Sequence, residues 1–308
     1  MNLLFGPADD TILAVVAGAF ERLGARSLVI DQRRPPPAWQ LDADGSGHIG
    51  DIDLADITSV YLRPTDLRAM AQVESWSLDG PELHDAARFA NEFLAATEFH
   101  DWLVVNKLSA QASNLSKPWQ LEQIKRWFEV PRTLVTTDPD EARAFATSFA
   151  AVIVKSVSGV RSIVRQLTDE RLAALGDVAN CPTLLQECID GTDVRVHVVG
   201  DFVYATEVTS AATDYRYDPT SRHRHVDLPD DVARRCVELS EHLDLRVSGI
   251  DLRRRDDGSY VCFEANPSPG FVYFEPFPAH PIADAIAAYM ADRTESTHGS
   301  QWKVSSST

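Results

Sequence analysis

Residues 246–270 read RVSGIDLRRRDDGSYVCFEANPSPG, and this stretch predicts a β-hairpin. Residues 246–255 and 259–265 alternate in the way that strands do, and the Asp-Asp-Gly sequence at 256–258 is typical of a turn. Successive side chains of a strand point to opposite faces of a sheet. The register of the hairpin therefore decides which polar side chains meet on one face.

A tight turn would pair Arg255 with Tyr260, and in that register Asp251 falls opposite Glu264. Opposed residues share a face and lie about 5 Å apart at Cβ. Asn266 is expected on the same face. Two carboxylates and an amide oxygen form a hard, all-oxygen ligand set that suits Mg²⁺ bridging phosphates, and without a cation the carboxylates would repel each other. A solvated polar face is the alternative interpretation.

The composition of the chain bounds its class. Its 308 residues allow two or three domains, and 44% hydrophobic with 24% charged residues is typical of a globular protein. A net charge of −17 argues against nucleic acid as a partner. The four cysteines form no C-x-x-C pair and no apolar run approaches a membrane span, so we expect a cytoplasmic protein with reduced thiols and no membrane partner.

The first third of the chain alternates strand and helix signals. The predicted elements are strands 2–5, 27–30 and 59–62 and helices 11–23 and 82–99. This order indicates a small parallel sheet with helices on its faces. Residues 42–51, rich in glycine and aspartate, predict a loop. Arg63 follows a strand where open α/β sheets bind ligands, although a plain surface arginine fits equally well.

Two further units follow, beginning near Asn106 and near Thr183. The predicted elements are helix 116–128, strand 133–135, helix 139–150, strands 151–154, 162–166, 183–186, 193–199 and 202–208, helix 230–243, the hairpin, and helix 282–290. The fold class is therefore α/β (α+β). We expect domains at 1–105, 106–182 and 183–293, followed by a disordered polar tail at 294–308.

Several positions carry charges that suit a ligand site. Lys155 ends an apolar strand and enters the turn SVSGVRS, where an ammonium and turn N–H groups can converge on a phosphate. Lys117 lies beside a helix start, and both lysines also fit a solvated surface. The linker at 186–191 offers backbone groups to a nucleotide base. Strand alternation places Asp193, Arg195 and His197 on one face, as a surface ion pair or as part of a site.

The loop YRYDPTSRHRH at residues 215–225 is locally basic in an acidic chain. It is either a solvated loop or an electropositive clamp for carboxylate or phosphate groups, with charges from Arg216, Arg222, His223, Arg224 and His225. The sequence contains no nucleophile elbow, Walker A pattern or zinc pattern. Covalent catalysis by serine or cysteine therefore has no support.

The order of these pieces resembles that of the ATP-grasp superfamily, and within it the RimK-type ligases. It is most similar to the ATP-grasp maturases of ribosomally made peptides, the graspetide or microviridin-type synthetases. The resemblance covers about residues 100–291 and is carried by VVNKLSAQASNLSKPWQLEQIKRWFEVPRTLVTTDP, AVIVKSVSGVRSIV, TLLQECIDGTDVRVHVVGDFVYATEV and SGIDLRRRDDGSYVCFEANPSPG. The phosphate loop departs from the family pattern because it is rich in Ser and Val and not in Gly. The run YLRP around Arg63 resembles a segment of many peptide-maturing members.

The resemblance implies an ATP-grasp fold with an N-terminal βαβ pre-ATP-grasp domain, a central domain and a C-terminal antiparallel-sheet domain. It implies ATP and Mg²⁺ as cofactors, with two Mg²⁺ ions expected. The implied nucleotide contacts come from Lys117, Lys155, Ser156, Arg161, Gln186, Glu187, Cys188, Ile189 and Asp193. The implied Mg²⁺ ligands are Asp251, Glu264 and Asn266, and the implied catalytic residues are Arg195 and Arg216.

The expected function is an ADP-forming carboxylate ligase that works through an acyl-phosphate. The expected product is an ester or amide link between side chains of a ribosomal precursor peptide. One alternative is a RimK-like ligase that joins a small free amino acid or carboxylate to an amine, and another is a non-catalytic ATP-binding regulator. The expected partner is accordingly a precursor peptide or a small carboxylate, and a homo-oligomer is a further option.

Overall fold

The computed structural model describes residues 1–34, 38–42, 44–65, 80–156, 165–168, 175–210, 220–276 and 278–299. Its strands are β1 Asn2–Gly6, β2 Ser27–Asp31, β3 Trp39–Leu41, β4 Gly47–Ile49, β5 Ile52–Asp53, β6 Ser59–Leu62, β7 Leu103–Val105, β8 Thr133–Thr136, β9 Val152–Ser156, β10 Arg165–Gln166, β11 Thr183–Glu187, β12 Thr192–Val199, β13 Phe202–Thr209, β14 Arg222–Val226, β15 Val247–Arg254 and β16 Tyr260–Asn266. Its α-helices are α1 Thr11–Leu23, α2 Gly80–Phe99, α3 Leu108–Gln111, α4 Lys117–Ile124, α5 Pro139–Thr147, α6 Asp230–His242 and α7 Pro281–Gly299.

The chain divides into two compact units. The first comprises Met1–Ala110, Leu245–Val247 and Gly270–Thr308, and the second comprises Gln111–Asp244 and Ser248–Pro269. The domain boundaries expected after residues 105 and 182 stay predictions. Among the described helices, none has the length and hydropathy that crossing a bilayer requires.

The first unit is built on a four-stranded parallel sheet of order β2-β1-β6-β7. Helix α1 begins because the Asp10 carboxylate accepts the N–H groups of Ile12 and Leu13, and it ends at Gly24 in the left-handed region with φ of +72°. Phe5 of β1 packs against aromatic side chains of α2 in the core. The predicted parallel sheet with flanking helices is confirmed.

Residues 42–51 were expected to form a loop, and this prediction is wrong at Gly47–Ile49, which form strand β4. The structure has a three-stranded antiparallel sheet, β3-β4-β5, across this region. Asp42 and Gly45 form the turn between β3 and β4. The apolar side chains of Trp39, Leu41 and Ile49 pack on the core beside α2. The glycines and aspartates are therefore turn residues of short strands, whose length is too small for alternation to be recognised.

The second unit contains two antiparallel sheets. One has the order β10-β9-β11-β8 and the other has the order β14-β13-β12-β15-β16. Helix α4 begins at the N-cap Ser116 and is shorter than the predicted helix 116–128. Strand β11, which the sequence assigned to the last domain, pairs with β8 and β9.

Two elements extend beyond their predicted limits. Residues Arg222–Val226 form β14 at the edge of the five-stranded sheet, although they were expected to belong to a loop. Charged side chains are common on edge strands because they discourage further strand pairing. The high charge of this segment is also typical of a loop, so the strand could not be recognised from the sequence. Helix α7 continues to Gly299, so the first residues of the expected disordered tail are helical.

Candidate active site

The turn of the β15–β16 hairpin differs from the predicted one. The N–H of Gly258 donates to the carbonyl of Arg255 at 3.0 Å, and Gly258 has φ of +82°. The hairpin loop ends in this left-handed glycine and is therefore one residue longer than a two-residue turn. Arg254 consequently pairs with Tyr260, and the predicted pairing of Arg255 with Tyr260 is wrong by one residue.

A second irregularity restores the register at the acidic residues. The pairing shifts between Asp251 and Leu252, so that Phe263 is an extra residue in β16, as in a β-bulge. Asp251 therefore lies directly opposite Glu264. The predicted opposition of these two carboxylates is confirmed, although a bulge produces it and not the expected turn.

Arg195 reaches across β15 to the first carboxylate. Its Nη1 lies 2.6 Å from Asp251 Oδ1, and the Arg195 side chain is almost fully buried. The guanidinium passes directly over Gly249, where a Cβ would lie 2.7 Å from Arg195 Cζ and 2.6 Å from Pro269 Cβ. Burial raises the pKa of Asp251; Arg195 opposes that rise and the neighbouring Glu264 adds to it. Arg195 thus offsets part of the cost of ionising this carboxylate.

Lys117, the first residue of α4, forms an ion pair with the second carboxylate, that of Glu264. Its Nζ lies 2.6 Å from Glu264 Oε2 and donates to Asn114 Oδ1 at 2.6 Å. Burial alone would raise the pKa of Glu264, but the charges of Lys117, Lys155 and Arg195 lower it to about 2. Glu264 is therefore ionised at every physiological pH.

Helix α4 is fastened to the strand that carries Glu264. Gln120 is buried, its Nε2 donates to Ala265 O at 2.8 Å, and its Oε1 accepts the Ala265 N–H at 3.2 Å. The amide side chain thereby extends the hydrogen-bond ladder of β16 to the helix. Because Lys117 lies one turn before Gln120, this contact fixes the distance between the lysine and Glu264.

Lys155 projects from β9 of the four-stranded sheet. Its Nζ donates to Gln186 Oε1 at 3.1 Å, and Gln186 Nε2 donates to Thr133 Oγ1 at 3.0 Å. Lys155 also acts on the pKa of Glu264. The structure therefore brings Lys117, Lys155 and Arg195 around the two opposed carboxylates.

Asn266 lies at the end of the same hairpin face, opposite Gly249. Its Oδ1 accepts the N–H of Ser268 at 3.0 Å, which leaves a second lone pair of this oxygen. Among the described residues no three His, Cys, Asp or Glu side chains form a group that could hold a metal ion. A cation here would have to be held by two carboxylates and an amide with further oxygens from a ligand, which suits Mg²⁺ bound to phosphates.

The linker expected to bind a nucleotide base begins at the end of β11. The N–H of Glu187 donates to Arg132 O and the N–H of Cys188 donates to Ala151 O, at 3.0 and 2.9 Å. These two donors are therefore used within the protein, so a contact between this linker and a base would use its other backbone groups, and the expected base site stays a prediction. The side chain of Ile189 is buried.

Asp193 is engaged in an ion pair that the sequence did not predict. Arg253 Nη2 lies 2.6 Å from Asp193 Oδ1, and Arg253 Nη1 donates to Ile189 O at 2.7 Å. Arg253 thereby links β15 to the linker and to β12. A ribose contact from Asp193 would have to use its other carboxylate oxygen.

The structure gives fewer contacts for the remaining predicted site residues. Ser156 ends β9, and its backbone pairs with Thr183. Arg161 and Arg216 lie outside the described residues. Arg224 forms an ion pair with Glu207 at 2.8 Å, and Glu207 also binds Arg254.

Sequence reasoning missed three residues that shape this site. Gly249 lies against Arg195 and Arg253 binds Asp193, whereas Gln120 is hydrogen-bonded to Ala265, the residue after Glu264. A glycine inside a strand is a signal of close backbone approach, and Gly249 could have been found in this way. A single sequence carries no comparable signal for Gln120 or Arg253.

An antiparallel hairpin with two opposed carboxylates and cations from a second sheet, a neighbouring strand and a helix start suits the binding of a phosphate chain with its metal ion. Residues 110–290 match the family model of the RimK-like ATP-grasp domain, and the chain belongs to that family. The resemblance inferred from the sequence is confirmed, and so is the ATP-grasp fold.

Two curated relatives match parts of the chain. Beta-citrylglutamate synthase B of Homo sapiens is 32% identical over 151 residues, covering 46% of this chain and 39% of the relative. A probable alpha-L-glutamate ligase of Cellvibrio japonicus is 34% identical over 121 residues, covering 36% of this chain and 39% of the relative. The match thus spans well under half the length of these relatives.

A solved structure matches nearly the whole chain. The ATP-grasp ligase PsnB, complexed with a phosphomimetic variant of a minimal precursor, Mg and ADP, superimposes with a TM-score of 0.79. It is 26% identical, and the superposition covers 95% of this chain and 98% of PsnB.

Proposed function

We propose that this chain is an ATP-dependent, ADP-forming carboxylate ligase that works through an acyl-phosphate. Its substrate is a ribosomal precursor peptide, in which it forms ester or amide links between side chains. A second candidate function is the joining of a small free amino acid or carboxylate to an amine. That candidate is favoured by the glutamate ligases among the relatives.

The observation that carries the proposal is the charge arrangement around Glu264 and Asp251. Three cations, Lys117, Lys155 and Arg195, act on this carboxylate pair from three different elements. A structural ion pair needs one cation for each carboxylate. The excess of positive charge and the carboxylate pair together suit a polyanionic phosphate chain with its metal, where catalysis is mainly positioning and charge neutralisation.

The residues present fit Mg²⁺ and ATP. Asp251, Glu264 and Asn266 would hold Mg²⁺, and Lys117 and Lys155 would hold the phosphates. Mg²⁺ supplies charge neutralisation at the phosphate oxygens when it is bound. Arg195 would stabilise the transferring phosphoryl group, because its guanidinium is held by Gly249 and Asp251 at the edge of the carboxylate pair.

The other nucleotide contacts remain proposals that follow from family order. Glu187, Cys188 and Ile189 would lie along the base with Gln186, and Asp193 would reach the ribose. Ser156 and Arg161 would belong to the loop over the phosphates. Arg216 would hold a carboxylate of the substrate.

Two features support a peptide over a small substrate. PsnB, which was solved in complex with a variant of a minimal precursor, superimposes on 95% of this chain at a TM-score of 0.79. Another solved structure of PsnB is complexed with the precursor peptide PsnA2 and AMPPNP. The run YLRP around Arg63 resembles a segment of peptide-maturing enzymes.

The test is ADP formation followed by mass spectrometry. The purified chain is incubated with ATP, Mg²⁺ and either a peptide encoded beside its gene or free amino acids. ADP formation with a peptide that loses the mass of one water per linkage supports the first function. A mass gain by one added amino acid supports the second. ATP binding without ADP formation under any of these conditions contradicts both.

A further inference from the structure

We propose that His225 is the general base that takes the proton of the attacking amine or hydroxyl group in the second half of the reaction. This inference rests on the proposed ligase function and assigns the acceptor side of the same site. It follows from the register of the five-stranded sheet and from the hydrogen bond that fixes the tautomer of the histidine.

One polar side chain from each strand of the sheet lies in a row on one face. The pairings of Asp251 with Glu264, of Arg195 with Thr206, and of Thr206 with His225 define the row, and the Arg195–Asp251 ion pair joins its two halves. The row therefore begins at the carboxylate pair on β16 and β15 and ends at His225 on β14. Directly opposed residues share a face, so all five side chains point to the same side.

Alternation sends the neighbouring arginine of β14 to the opposite face. Arg224 pairs with Glu207 and binds its carboxylate at 2.8 Å, and Arg254 binds the same carboxylate from β15. The described part of the basic segment thus presents a histidine, and not Arg224, on the face of Arg195. The clamp expected from Arg222 and Arg224 does not lie on this face.

The tautomer of His225 follows from its backbone contact. Nδ1 lies 3.0 Å from the carbonyl oxygen of Ala205. A carbonyl oxygen only accepts hydrogen bonds, so Nδ1 carries the hydrogen and Nε2 of the neutral ring keeps its lone pair. The ring is stacked on the buried Tyr204 with 4.4 Å between centroids, which orients it. The side chain is 51% exposed, and Nε2 lies 3.9 Å from Oδ1 of the exposed Asp227, beyond hydrogen-bond distance, so its lone pair is left for a substrate.

Thr206 gives a second, independent sign of a ligand in this row. It is fully buried between Arg195 and His225, and its Oγ1 has no hydrogen-bond partner among the described residues. Leaving a buried hydroxyl unpaired costs about 1–3 kcal/mol. A substrate group lying over the row would satisfy this hydroxyl.

The spacing of the row suits the transfer step. Adjacent strands lie about 4.8 Å apart, so the backbone of β14 is roughly 10 Å from that of β12. A nucleophile attacks from about 3.5 Å and its base lies about 3 Å further away, so an acyl-phosphate at Arg195 leaves room for both. The nucleophile bonds to the acyl carbon, the bond from that carbon to the phosphate oxygen breaks, and phosphate leaves with the electron pair. The proton of the nucleophile passes to His225 Nε2.

The test separates the two half-reactions with His225→Gln in the full chain. Hydroxylamine is unprotonated at neutral pH and traps an acyl-phosphate without a base. Wild type and variant are given ATP, Mg²⁺ and a peptide rich in Glu and Lys or free L-glutamate, with and without hydroxylamine. We expect the variant to form hydroxamate at the wild-type rate and to lose product formation with the natural nucleophile by about 100-fold or more. Arg224→Gln, on the other face of the same strand, serves as the control and keeps both reactions.

Each outcome has one meaning. Wild type that forms neither product nor hydroxamate contradicts the proposed ligase function, and the inference is lost with it. A variant that retains both reactions contradicts the inference alone. A variant that loses both reactions while its circular dichroism spectrum is unchanged also contradicts it, because a base for the second step would leave the first step intact.

Discussion

The chain contains two arginine–aspartate pairs of similar geometry, one in each unit. Arg195 Nη1 lies 2.6 Å from Asp251 Oδ1, with side chains 7% and 30% exposed. Arg63 Nε lies 3.0 Å from Asp10 Oδ2, with side chains 15% and 20% exposed. Both arginines were candidates for ligand contacts on sequence grounds. Distance and burial alone do not distinguish them.

The difference lies in what else each aspartate does. The second oxygen of Asp10 accepts the N–H groups at the start of α1, so this carboxylate is fully used in holding the fold. Asp251 instead faces Glu264, whose charge adds to the cost of burying it. A carboxylate held beside another carboxylate stores unfavourable energy that a bound cation would relieve. The comparison therefore favours Arg195 over Arg63 as the arginine of the proposed site.

Removing the charge of Glu264 should have the largest effect. Glu264→Gln preserves the shape of the side chain but leaves Asp251 as the only anionic ligand, so we expect ADP formation to fall by about 1000-fold. The measurement is ADP release with ATP and Mg²⁺ in excess. Glu207→Gln, an acidic residue on the opposite face, is the control and should retain activity. Near-normal turnover of Glu264→Gln would remove it from the metal site.

Gly249→Ala tests the same ion pair through the backbone. A Cβ at this position collides with the Arg195 guanidinium and with Pro269, so Arg195 must leave Asp251. Because small displacements in an active site cost about 100-fold, we expect turnover to fall by about that factor while the protein stays folded. Gly176→Ala, where a Cβ meets no atom within 4 Å, is the matched control. Equal activity of both variants would show that the position of Arg195 does not matter.

The sequence predicted the long elements and the opposed carboxylates, because alternation and turn residues act locally. It could not predict how the register was reached. The left-handed Gly258 and the extra residue Phe263 shift the pairing in opposite directions, and the two shifts cancel at Asp251. The predicted pair was therefore right for a reason that the sequence did not contain.

Contacts between distant segments were beyond the reach of local patterns. Gln120 and Ala265 are 145 residues apart, and Arg253 and Asp193 are 60 apart. Nothing near Gln120 distinguishes it from a solvent-exposed glutamine of an amphipathic helix. The charged residues before Val226 were predicted to be a loop and form an edge strand, because an edge strand and a polar loop have the same composition.

The pH dependence of stability should show whether Lys117 lowers the pKa of Glu264. Its folded pKa of about 2 lies below the ordinary value of 4.5, so the unfolded chain binds more protons between these values. The Lys117 contact therefore stabilises the fold fully above pH 4.5 and loses its effect as pH falls toward 2. Wild type should exceed Lys117→Met by on the order of 3 kcal/mol at most in unfolding free energy above this window.

Urea denaturation of the wild type and of Lys117→Met across this pH range is the measurement. The free-energy difference between them should shrink with acidification. A difference that is constant with pH would mean that Lys117 stabilises the protein by packing and not by its charge on Glu264.

The smallest effects are expected at the pair that we assign to structure. Arg63→Gln removes a partly exposed ion pair and should lower the free energy of unfolding by about 1 kcal/mol or less. Asp10→Ala also removes the N-cap of α1 and should cost about 1–2 kcal/mol. Thermal denaturation measures both, and ADP formation by Arg63→Gln should stay close to that of wild type. If Arg63→Gln instead loses turnover without any change in melting temperature, Arg63 contacts a ligand at the carboxyl end of β6. Asp10 would then position a binding residue as well as cap a helix, and the two ion pairs would be functional equivalents.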